Sequence, residues 1–97
     1  MALKTTAWDV TEYLEDEEDI AEYLNAVMEL NDPSLLQAAI GDVAKAQGMT
    51  KIAKDAGLGR ESLYKSLSAQ GNPSFATILK VLHALGTRIS IQPEHAH

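Results

Sequence analysis

The stretch MTKIAKDAGLGRESLYKSLS, Met49 to Ser68, decides how this chain folds. Thr50 is a capping type placed to start a helix. Gly57 is placed to end it after about two turns, because a left-handed residue costs least without a Cβ. Leu58 follows as an apolar plug, and Gly59 lets a second helix begin at Arg60 and run to about Ser68. Ile52, Ala53, Leu63 and Leu67 fall on inward faces, and the small Ala53 allows a close crossing. Arg60, Glu61, Tyr64, Lys65 and Ser68 are left outside. Two short helices joined by a tight glycine turn describe a helix-turn-helix.

Outward from this unit the chain reads as helical. Asp9 or Thr11 caps a short helix up to about Leu14. Glu17 to Leu30 forms another, with Ile20, Tyr23, Leu24 and Val27 on one face and an acidic first turn that suits the helix dipole. Asn31 to Pro33 stops it, and Ser34 caps the next. That helix carries Leu35, Leu36, Ala39, Ile40, Val43 and Ala44, and ends at Gly48. After a turn at Gln70–Pro73, Asn72 or Ser74 caps the last helix, with the stripe Phe75, Ile78, Leu79, Leu82, Leu85 and a stop at Gly86. Thr87, Ile89 and Ile91 then alternate with Arg88, Ser90 and Gln92, which predicts a short β-strand. A lone strand needs a partner for its backbone, from a second copy, another protein or an N-terminal segment of the same chain.

Ninety-seven residues, 45% of them apolar, fill one modest core. The sequence has no cysteine, so it carries no disulfide framework and no thiolate zinc site. MALKTTAWDV lacks the apolar centre of a signal peptide, and no apolar run approaches membrane-spanning length. These features predict a soluble, cytoplasmic protein. Charge is divided sharply. Residues 1–33 hold ten carboxylates and one lysine, a net −9, whereas residues 34–97 hold seven bases and four acids, a net +3. Within 45–65 there are five bases and two acids. The acidic total does not exclude a nucleic-acid partner, because phosphates respond to the field within a Debye length of about 8 Å.

In a helix-turn-helix the second helix enters the major groove, N-terminal residues first. Arg60 matches the paired acceptors of guanine, Glu61 accepts from cytosine or orients Arg60, and Tyr64, Lys65 and Ser68 complete the base-facing surface. Thr50 and Lys51 sit where helix amides and a cation meet a phosphate. Lys54 and Lys45 extend the positive patch; Asn72, Ser74 and Lys80 are placed to grip the flanking backbone. Other signals are weak. GLGRES lacks the remaining glycine and the lysine of a phosphate loop. His95 and His97 have no fixed third ligand, and His83 reads as a boundary residue. Glu15–Asp19 lacks a calcium-loop pattern, and the serines have no base at a usable spacing. Trp8 reads as an anchor for the N-terminal arm. No catalytic set, metal site or cofactor site is predicted, and an enzyme is not expected.

Gly48 to Gly86 resembles the Xre/Cro-like helix-turn-helix, closest to addiction-module antidote proteins, the antitoxins of type II toxin–antitoxin pairs. Its most specific part is LYKSLS followed by GNPSF; WDVTEYL, YLNAVME and AIGDVAKAQGM extend the likeness over nearly the whole chain. The resemblance implies an all-α, five- to six-helix lambda-repressor-like domain at 34–86. An acidic helical arm at 1–33 precedes it, and a strand with a flexible tail at 87–97 follows. It also implies a homodimer on a palindromic DNA operator, autorepression, and neutralisation of a basic RelE/ParE-type toxin. Recognition falls on Arg60, Glu61, Tyr64, Lys65 and Ser68, and phosphate contact on Thr50, Lys51 and Asn72. Gly59 stands where many relatives of this fold have Ser or Thr, which shifts weight to Arg60 and Ser62. A stand-alone repressor, or a helical interaction module acting through the acidic arm, are the competing readings.

Overall fold

The computed structural model describes Leu14 and residues 16–94. Over these residues the chain is all-helical: α1 Glu17–Met28, α2 Pro33–Gln47, α3 Met49–Ala56, α4 Arg60–Ser66 and α5 Phe75–Ala84. The expected helix ending near Leu14, Trp8 and the two C-terminal histidines lie outside the described residues.

Each helix begins and ends for a local reason. The Asp16 carboxylate accepts from the Asp19 amide at 2.9 Å and caps α1. Asn31 turns the chain in the left-handed region at φ 55°. Asp32, not Ser34, caps α2, accepting from Ser34 and Leu35 amides at 3.1 and 3.2 Å; Pro33 takes the first helical position, where its missing N–H costs nothing. Gly48, at φ 107°, both ends α2 and precedes α3. Helix α3 therefore starts two residues earlier than a Thr50 cap would place it, with Thr50 inside its first turn and no side chain capping it. Gly57 is left-handed as expected, at φ 73°, and the amides of Gly57 and Leu58 return to the carbonyls of Lys54 and Ala53. Ser74, not Asn72, caps α5 through the Thr77 amide at 3.1 Å.

Helix α3 lies at the centre, packed on α2, α4 and α5, while α1 packs on α2. One core joins all five helices. Ile40, Val43, Ile52, Leu63 and Val81 are almost wholly buried, and α1 adds Ile20 and Leu24. Burying each large side chain contributes about 1.5–3 kcal/mol. Tyr23 of α1 is half-buried; burial, helped by the Asp42 carboxylate, holds its phenol above the ordinary value of 10.0.

Three expectations need correction. Leu35, read as part of the buried stripe of α2, is 44% exposed at the start of that helix. The buried face of α5 is Val81, Leu82 and Leu85 with Ile78 at its edge, whereas Phe75 and Leu79 are 69% and 41% exposed. The stripe read from the sequence was rotated toward Phe75, because apolar residues occupy more of this helix than α3 covers. The predicted strand at Thr87–Gln92 is absent. Among the described residues no second strand stands beside it, so its backbone has no ladder to join. After the Gly86 stop at φ 82°, the segment leaves α5 without regular structure.

Candidate nucleic-acid interface

Helix α4 is held from below. Leu63 and Leu67 are 1% and 5% exposed and bind it to the core. With those two residues underneath, the opposite side presents Arg60, Glu61, Ser62, Tyr64 and Lys65 to solvent. The side chains of Arg60 and Glu61 make no hydrogen bond or ion pair with any described residue, so neither charge is neutralised locally. From α2, the Lys45 ammonium lies 5.4 Å from the centre of the Tyr64 ring, a cation–π contact that limits where the phenol points. Lys45, Met49, Arg60, Glu61, Tyr64 and Lys65 line one shallow depression. Three cations converge there against one carboxylate.

The remaining candidates are more dispersed. Ser68 is half-buried, and its hydroxyl donates to the Lys65 carbonyl at 2.7 Å. Thr50 and Lys54 are exposed on α3. Lys51 pairs with Asp55 at 3.2 Å and lines a separate hollow with Asp16, Glu17 and Glu18. Asn72 is exposed beside the turn after α4, and Lys80 is exposed on α5. The Ser74 hydroxyl is engaged with Thr77, accepting from its amide and donating to its Oγ1, both at 3.1 Å.

One residue of this region went unread in the sequence. Gln37 of α2 directs Nε2 at three carbonyls, those of Ser68 at 2.7 Å, Gly71 at 3.2 Å and Ser66 at 3.4 Å. It ties the end of α4 and the following turn to α2. A glutamine on a helix gives no local signal of this, because its partners lie about 30 residues further along the chain.

A family model described as "Probable addiction module antidote protein" matches residues 4–93. The chain belongs to that family. The match runs through the acidic front and the helical body alike. A protein of Haemophilus influenzae, described as an uncharacterized protein, is 47% identical over 85 residues, covering 88% of each chain. No solved structure gives a significant match. Membership of an antidote family implies a toxin partner and a regulatory rather than enzymatic role. Among the described residues, no helix is long and apolar enough to cross a membrane.

Proposed function

We propose that this antidote protein is the sequence-specific DNA-binding antitoxin of a type II module, which represses its own operon as a homodimer and neutralises a RelE/ParE-type toxin. In this reading α3, the Gly57–Gly59 turn and α4 form a helix-turn-helix within a DNA-binding unit at 34–86, and residues 1–33 serve the toxin. One observation supports it above the others: the exposed, locally uncompensated Arg60 stands beside Tyr64, Lys65 and Lys45 on a helix anchored only from below. That arrangement projects a planar guanidinium and two ammonium groups outward. It is the chemistry of a helix that reads guanine and holds phosphates. The acids of α1 do not line that depression.

The test is a titration of the full chain onto DNA from upstream of its own gene, at several salt concentrations. Log K should fall with log salt by about 0.9 per phosphate contacted. Arg60→Ala should cost about 1–3 kcal/mol and relax the preference at one base pair. Binding that ignores salt, or no binding to the upstream DNA, overturns the DNA reading. A uniform loss across all sequences would reassign Arg60 from base to phosphate.

A further inference from the structure

A second surface is built differently. Helix α1 and residues 86–90 form the two walls of a groove floored by Leu24 and Leu82. Its end is set by close packing: a Cβ on Gly86 would lie 2.5 Å from Glu17 Cγ. Met28 on one wall and Ile89 on the other are 39% and 37% exposed, so apolar surface faces solvent on both sides. Glu17 and Glu18 rim the groove, and Arg88 is the single cation on it. Helix α1 contributes four carboxylates and no base.

We infer that this groove seats a cationic, amphipathic segment of the toxin, and the inference rests on the antidote reading. Apolar walls bury one face of such a segment, as a groove takes an amphipathic helix. The carboxylates meet its basic face and speed encounter. DNA does not fit, because the rim repels phosphate. A second copy fits poorly, since it brings the same acidic rim with only Arg88 to offset it. The groove shares no residue with the Arg60 depression, so a segment seated in it leaves that depression uncovered.

The probe is the purified protein encoded by the neighbouring reading frame, titrated with the full chain by calorimetry. Met28→Asp combined with Ile89→Asp should weaken binding at least tenfold while the thermal melt stays within a few degrees of wild type. Glu17→Gln with Glu18→Gln should weaken it severalfold and reduce its salt dependence. Leu35→Asp, an exposed apolar residue of α2 outside the groove, should leave binding unchanged. If wild type binds and both groove variants bind equally well, or if Leu35→Asp weakens binding as much as they do, the groove assignment fails. Should the aspartate pair unfold the chain, the glutamine pair alone decides. Failure of wild type to bind this protein is a different result, and it removes the antitoxin reading itself.

Discussion

Gly59 shows how the same residue type answers to different demands within three positions. Gly57 occupies φ 73°, where side chains are strained, and its role was legible from its place at a helix end. Gly59 has φ −71° and ψ 139°, extended backbone open to any residue, and it caps α4 with no side-chain hydrogen bond. A Cβ there would meet nothing closer than Ser62 Oγ at 3.8 Å. Gly59→Ser should therefore stabilise the fold by about 0.5–1 kcal/mol, through a new cap and a less flexible unfolded chain. Urea unfolding checks this, and a destabilised variant would mean that the site needs glycine after all. The outward placement of Arg60, Tyr64 and Lys65 was legible from Leu63 and Leu67 alone. The ring contact of Lys45 was not, because it joins α2 to α4 across nineteen positions of chain.

The helix period was read correctly in α1, where Ile20 and Leu24 are buried, and in α2 from Leu36 onward, with Leu35 left exposed. It misled in α5, where Phe75 and Leu79 extend the apolar surface beyond the part that α3 covers. Caps were misread for a common reason: at Asp32-Pro33-Ser34 and Gly48-Met49-Thr50, two residues compete for each start, and the earlier one holds it. Long-range fastening was invisible from spacing. Gln37 satisfies carbonyls at the end of α4, and Gly71 lies so close that a methyl group there would collide with the Lys65 and Ser66 carbonyl oxygens. Gln37→Ala should cost about 1–3 kcal/mol, since part-buried carbonyls lose their partner. In denaturant titrations the midpoint should fall with the slope unchanged. An unaltered midpoint would show that water replaces the amide without loss.

The division of charge along the chain was readable in full, and among the described residues Glu17 and Glu18 rim the α1 groove while Lys45, Arg60 and Lys65 gather around α4. What composition did not give is a reason for the exposed pair Phe75 and Leu79, one turn apart on α5. Under the proposed dimeric function these two supply the contact between copies. Phe75→Lys with Leu79→Lys should then yield a folded monomer in sedimentation experiments and weaken binding to a palindromic operator. A dimer that persists in this variant places the contact elsewhere. Helix α3 has a further consequence. An eight-residue helix is marginal alone in water, yet this one touches α2, α4 and α5. It acts as a keystone, so the bundle has no half that keeps its shape without the other, and any cut through Met49–Ala56 dismantles both surfaces together.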